Sequence, residues 1–160
     1  MSKRKVLIII LSWLMVLITC FIIVRFSLEN KEKSTNSSNQ IVDSIIKDEN
    51  KISQENLENI QGFIRKLAHF GVYMLLGFSS TNAFITTFKL RLIFNQLLSC
   101  LFALSFSFFD EFVVQKISDG RAPLFTDVLI DYFGLSIGIV LFTLLIFSIK
   151  IYNKKRKSTK

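Results

Sequence analysis

The chain has one histidine, one proline and two cysteines among its 160 residues. A single histidine leaves a metal site without its usual imidazole partner, so no histidine-built metal centre is expected. Cys20 and Cys100 both lie in apolar stretches, where cysteine serves as a small hydrophobe, and two such residues make no disulfide framework. The lone Pro123 means that helix-breaking chemistry is confined to one connection. There is no nucleophile motif, no glycine-rich phosphate loop and no spaced pair of metal ligands, so no cofactor is expected. Acidic residues are also missing from three stretches rich in Lys and Arg. These hold Lys3, Arg4 and Lys5, then Lys89 and Arg91, then Lys150, Lys154, Lys155, Arg156, Lys157 and Lys160.

What the chain has in abundance is apolar sequence, 51% of it, gathered in blocks. A soluble domain intersperses apolar and polar residues at helix or strand period. Here four long runs occupy 6–24, 67–88, 92–109 and 128–149. Each approaches the roughly 17–25 residues a helix needs to cross about 30 Å of hydrocarbon. The expected fold class is therefore all-α: a polytopic membrane protein with four transmembrane helices, forming one domain over 1–160. Thr19 is bulky for the residue before a lipoprotein cysteine, and the first run is long for a signal peptide, so it reads as a retained anchor.

The connections alternate in character. Residues 27–60 form a long linker, rich in Ser, Asn, Glu and Lys over 27–39. Ile41, Val42, Ile45 and Ile46 have helical spacing and predict a short interfacial helix in that loop. Leu57, Ile60, Phe63, Ile64 and Leu67 continue the same spacing, predicting a helix that starts on the surface and runs into the second span. Lys89–Arg91 closes a hairpin between the second and third runs. Asp119-Gly120 and Pro123 mark a turn before the fourth, where Thr126 or Asp127 is expected to cap the helix.

A formal net charge of +8 is compatible with nucleic-acid binding, but its distribution is that of cytoplasmic loops. This predicts a multi-pass protein of the cell membrane. Both termini and the basic tail 150–160 are cytoplasmic, the acidic connections are external, and the partners are membrane lipids rather than nucleic acid. Oligomeric state is not specified.

Charge recurs where it is costly, at or just inside the outer ends of the runs. Arg65, Lys66, His69 and Tyr73 fall within about 100° of one another on a helix. Glu111 and Gln115 lie one turn apart, as do Asp127 and Asp131. Asp110 and Glu111 sit near a helix C-terminus, where negative charge is unfavourable unless cations approach. Arg65, Lys66 and Arg121 are external cations that would relieve this by cross-pairing. The expected site is a pocket formed by three helix ends. The plainer alternative is a solvated rim of snorkelling side chains, with Asp127 only a cap and Tyr73 only an interface aromatic. Trp13 and most of the phenylalanines are expected to face lipid, and the inner halves of the runs to be apolar. Gly134 and Gly138, four apart, read as a helix-packing pair.

These motifs carry a resemblance. Arg65-Lys66-Leu67-Ala68-His69-Phe70 followed by Tyr73 and Gly77, then Asp110-Glu111, Gln115 and Gly120-Arg121, then Asp127, Asp131 and Gly134, are similar to three blocks of the VanZ-like family of small bacterial membrane proteins. Trp13 and Phe26-Ser27 fit its opening. The resemblance spans the whole chain. Two departures are Lys116–Asp119, where an aromatic-rich approach to Gly-Arg is usual, and the long charged linker. The resemblance implies a cell-envelope setting in Gram-positive bacteria and a link to resistance against the glycopeptide teicoplanin.

Three functional readings follow. In the first, the outward pocket binds a polar or anionic envelope ligand, such as a lipid-linked cell-wall precursor, a lipid headgroup or a glycopeptide. Arg65, Lys66 and Arg121 then meet anionic groups, while Asp110, Glu111, Asp127 and Asp131 orient those cations and bind hydroxyls or amines. His69, Tyr73 and Gln115 complete the lining. In the second, the protein is a membrane enzyme, with His69 or Glu111 as general base and Arg121 stabilising negative charge. In the third, it transports ions or protons, which requires a polar path the sequence does not display.

Overall fold

A computed structural model describes residues 2–28, 54–117 and 124–158, and all regular structure among them is helical. Helix α1 covers Lys3–Ser27, α2 Gln54–Thr87, α3 Leu92–Phe109 and α4 Phe125–Ser158. Helix α3 continues through a π-helical turn at Asp110–Val114 into a last α-turn at Gln115–Ile117. Three of these helices, Lys3–Ser27, Leu92–Ile117 and Phe125–Ser158, are long and apolar enough to cross a membrane. Helix α2 contains the expected second span but is less apolar, because Ser79, Ser80, Thr81, Asn82, Thr86 and Thr87 dilute it. The surface helix expected at 41–46 lies outside the described residues. Helix α2 does run unbroken from Gln54 past Leu67, as the periodicity predicted. The basic residues from Lys150 to Lys157 continue α4 rather than forming a separate tail.

Side-chain bonds set the topology. Asn82 Nδ2 donates to Ser12 Oγ at 3.0 Å and Trp13 Nε1 to Thr87 Oγ1 at 2.9 Å, whereas Ser27 and Tyr73 share the Asp110 carboxylate, so α1 and α2 are antiparallel. Ser80 and Thr81 meet Ser99 at 2.6 and 3.0 Å, which sets α3 against α2. Gln96 bonds Thr143 at 2.6 Å and Ser107 bonds Asp131 at 2.8 Å, which sets α4 against α3. Helices α2 and α4 then run parallel. An added Cβ at Gly134 would collide with the Phe70 carbonyl, one at Gly138 with the Met74 carbonyl, and one at Gly77 with the Leu135 carbonyl. The glycines thus let two backbones touch. This up-down-up-down order gathers Lys3, Arg4, Lys5, Lys89, Arg91 and Lys150 at one end of the bundle. His69, Asp110, Glu111 and Asp131 gather at the other.

The interior is inverted relative to a water-soluble protein. Leu7, Ile10, Leu14, Leu17, Phe21, Leu97, Leu101, Leu141 and Leu144 are exposed, while Ser12, Thr19, Ser80, Thr81, Asn95 and Ser99 are buried. An apolar solvent rewards this arrangement: lipid accepts leucine, and hydroxyls bond each other or a carbonyl one turn back. Ser80 and Thr81 donate in this way to Leu76 and Gly77 at 2.6 and 2.7 Å. The expectation of apolar inner halves is therefore corrected, because the sequence does not reveal that these hydroxyls face one another. A buried layer of Leu76, Ala103 and Leu135 lies between this polar seam and the polar end of the bundle that holds Asp110 and Asp131. Trp13 is corrected too. It packs edge-on against Phe84 at 5.5 Å and spends its N–H on Thr87 instead of facing lipid.

Candidate functional site

Four segments meet at the end of the bundle opposite Lys3, Lys89 and Lys150: the last turn of α1, the middle of α2, the π-helical turn, and the first turns of α4. The π turn is the decisive local feature. Buried positions along α3 recur every four residues as Asn95, Ser99, Ala103 and Ser107. On a 3.6-residue helix that series drifts around the axis. A π turn holds an additional residue per turn, so the rotation is reset and Asp110, Glu111, Val114 and Gln115 are all buried. The Gln115 N–H closes this turn on the Asp110 carbonyl.

Asp110 is fully buried, and its Oδ2 accepts from Ser27 Oγ at 2.7 Å and from Tyr73 OH at 3.3 Å. One carboxylate oxygen thus joins α1, α2 and the π turn. Glu111, equally buried, accepts from Gln115 Nε2 through Oε2 and from the Leu124 backbone N–H through Oε1 at 2.7 Å. That second bond ties the π turn to the residue preceding α4. Asp131 Oδ2 accepts from Ser107 Oγ at 2.8 Å, and its Oδ1 stands 3.9 Å from His69 Nδ1. One turn earlier on α4, Asp127 Oδ1 is 3.9 Å from Lys66 Nζ. The His69 and Tyr73 rings lie stacked, with centroids 6.5 Å apart.

The structure therefore brings together Lys66, His69, Tyr73, Asp110, Glu111, Gln115, Asp127 and Asp131. Arg65 is half-buried on the same helix end and forms no ion pair with a described residue. Arg121 lies outside the described residues. Two of the plainer alternatives are corrected. Tyr73 is fully buried, so it is no interface aromatic. Helix α4 begins at Phe125, which puts Thr126 and Asp127 inside its first turn, and Asp127 faces Lys66 rather than capping.

This arrangement accompanies a likeness over most of the chain: the VanZ/LLP1 family model matches residues 7–147. The chain belongs to the VanZ/LLP1 family. With its apolar helices, it is a VanZ-like membrane protein. No curated protein and no solved structure matches it.

The site of this VanZ/LLP1 protein includes two residues that the charge pattern alone does not single out. Ser107 holds Asp131, and Ser27 holds Asp110. Both had a readable signal. Ser107 continues the four-residue series of Asn95, Ser99 and Ala103. Ser27 continues the spacing of Ser12, Val16, Thr19 and Ile23, all buried along one side of α1. Chemically, the site offers carboxylate acceptors held in place by hydroxyl, amide and backbone donors, with Lys66 and His69 at its edge.

Proposed function

We propose that this VanZ/LLP1 protein crosses the cell membrane four times, with α2 as the fourth span and both termini cytoplasmic, and that its outward pocket binds a polar or anionic cell-envelope ligand. Support for the fourth span comes from packing. Helix α2 is bonded to α1 and α3 over the length from Tyr73 to Thr87 and lies against α4 at Gly77, Gly134 and Gly138. Its hydroxyls are met by protein, so its lower apolarity is compatible with lipid outside. The basic end of the bundle faces the cytoplasm by the bias of Lys and Arg toward that side.

The observation that carries the pocket reading is the burial of three carboxylates, Asp110, Glu111 and Asp131, at one end of the bundle. Burying charge is expensive and marks a site in membrane proteins. Arg65, Lys66 and Arg121 supply cations for anionic groups of a lipid-linked wall precursor, a lipid headgroup or a glycopeptide. Glycopeptide resistance, with teicoplanin as the case, is the physiological role that fits such binding. The test is binding of extracted envelope lipids and of teicoplanin to purified protein in nanodiscs. Weaker binding by Arg65→Ala and Arg121→Ala supports the reading, and unchanged binding by both rejects it.

One observation favours a second reading, a membrane enzyme acting on a lipid-linked envelope substrate. His69 Nδ1 beside Asp131 Oδ1 is an imidazole–carboxylate pair of the kind that orients a general base. Mass spectrometry of envelope lipids incubated with the protein tests it. A product formed equally by wild type and His69→Ala counts against this reading.

A further inference from the structure

At the basic end of the bundle, helices far apart in sequence carry cations to a common depth. Hydrogen bonds fix the register: Trp13 stands level with Thr87, Ser99 with Ser80 and Thr81, and Gln96 with Thr143. Counting about 1.5 Å of rise per residue from these pairs, Lys89, Arg91 and Lys150 lie about 3–6 Å beyond the level of Thr87. By the same count Lys3, Arg4 and Lys5 on α1 and Lys154–Lys157 on α4 lie about 12–16 Å beyond it. All of these cations are exposed. Among the described residues, no Asp or Glu lies on α1, on α2 beyond Glu58, on α3 before Asp110 or on α4 beyond Asp131. The described helices thus supply no acidic side chain at this end, and the anions that neutralise it come from outside them.

Two features say what those anions are. The surface leading to the cations is apolar: Leu144, Leu145, Phe147, Ile149, Ile151 and Tyr152 are exposed, so acyl chains wrap α4 almost to Lys154. Lys and Arg stems at such a boundary fold back along the apolar surface to reach the headgroups. The second feature is angular. Consecutive helical residues turn by about 100°, so Lys154, Lys155, Arg156 and Lys157 point to four sides of the axis within about 4.5 Å of its length. Lys150, Lys154 and Lys157 share one face, but Lys155 and Arg156 point away from it. A nucleic acid or an acidic protein lies against one face of a helix and would be served by cations three and four residues apart. A layer of headgroups surrounds the helix and meets every side at once. The geometry points to the basic end as a collar for anionic phospholipids, whose phosphates ring α4 at Lys154–Lys157 and α1 at Lys3–Lys5, with Lys89, Arg91 and Lys150 taking phosphates nearer the hydrocarbon. This narrows the expected lipid partner to one charge class. It is independent of the carboxylate end and of which leaflet the basic end meets.

The experiment is native mass spectrometry of the whole protein released from nanodiscs that hold phosphatidylcholine and phosphatidylglycerol in equal parts with the same acyl chains. Among the retained lipids, phosphatidylglycerol should exceed phosphatidylcholine by about fivefold, the weight of one cation near an anionic surface, and raised salt should shrink the excess. Lys154→Gln and Arg156→Gln, on opposite sides of α4, should each lower the count of retained phosphatidylglycerol by a similar step. Gln keeps the helix propensity of the residues it replaces, so the fold is spared. Equal retention of the two lipids overturns the collar. Loss in Lys154→Gln with Arg156→Gln like wild type also overturns it, because a ligand on one face then explains the cations. Two further arms use discs of phosphatidylcholine alone, one with free glycerol phosphate at millimolar concentration and one with a single-stranded oligonucleotide. Retention of either without phosphatidylglycerol enrichment in the mixed discs assigns the cations to a soluble anion and overturns the lipid assignment.

Discussion

Ser27 Oγ donates to Asp110 Oδ2 at 2.7 Å, linking the last residue of α1 to the first residue of the π turn across 83 positions of sequence. Both residues are fully buried, so the bond has no water to replace it. The Tyr73 hydroxyl shares the same oxygen at a longer 3.3 Å. Ser27→Ala therefore costs about 1.5–3 kcal/mol, the range for a bond to a charged group, and Tyr73→Phe costs less, about 1 kcal/mol. Thermal unfolding in a single detergent, read side by side, checks the order. A larger loss in Tyr73→Phe would show that the shorter bond is not the dominant one.

The contact of α2 with α4 depends on the missing Cβ atoms of Gly134 and Gly138. Gly138→Ala should force the helices apart and lower stability by about 1–3 kcal/mol, as overpacking does. Gly62 is the internal control, since an added Cβ there meets nothing within 4 Å. Gly62→Ala should be neutral or stabilising by about 0.5–1 kcal/mol through helix propensity. The comparison is made by unfolding in detergent, and equal effects at the two positions would remove the case for backbone contact.

Glu111 anchors the entry to α4 by accepting the Leu124 N–H at 2.7 Å. Glu111→Ala leaves that donor and Gln115 without their shared acceptor. Hydrogen exchange in a peptide covering residues 124–131 should quicken by about tenfold or more, while a peptide in the inner half of α4 is unaffected. Uniform acceleration along α4 would instead indicate global loosening.

The orientation is tested by thiol labelling in a background with Cys20→Ser and Cys100→Ser. Ser158→Cys, at the end of the basic helix, should react with a membrane-impermeant reagent only in inverted vesicles. Ser37→Cys, in the linker, should react only in intact cells. Reaction of Ser158→Cys in intact cells would reverse the assigned topology and move the carboxylate cluster to the cytoplasmic side.

Much of this protein is legible in its sequence. The blocks of apolar residues predict long helices, and α3 starts where the run at 92–109 starts. Periodicity predicts the unbroken entry of α2, and the placement of Lys66, His69, Asp110, Glu111, Asp127 and Asp131 at run ends predicts a polar cluster at one end of the bundle. Ser12, Ser80, Thr81, Asn95 and Ser99 were harder to read. A serine inside an apolar run has the same local sequence whether it faces lipid or another serine, and only the neighbouring helix decides.

Sequence alone determines the solvent and the elements here, because the cost of exposing backbone and charge to hydrocarbon depends on local composition and length. Tertiary structure alone determines who meets whom. The π turn at Asp110–Val114 carries both acids inward, and the glycine contacts hold α2 against α4. Ser27 and Ser107 become partners of Asp110 and Asp131. Such relations depend on helix rotation and on distances between segments far apart in the chain, and hydrophobic patterning does not encode them residue by residue.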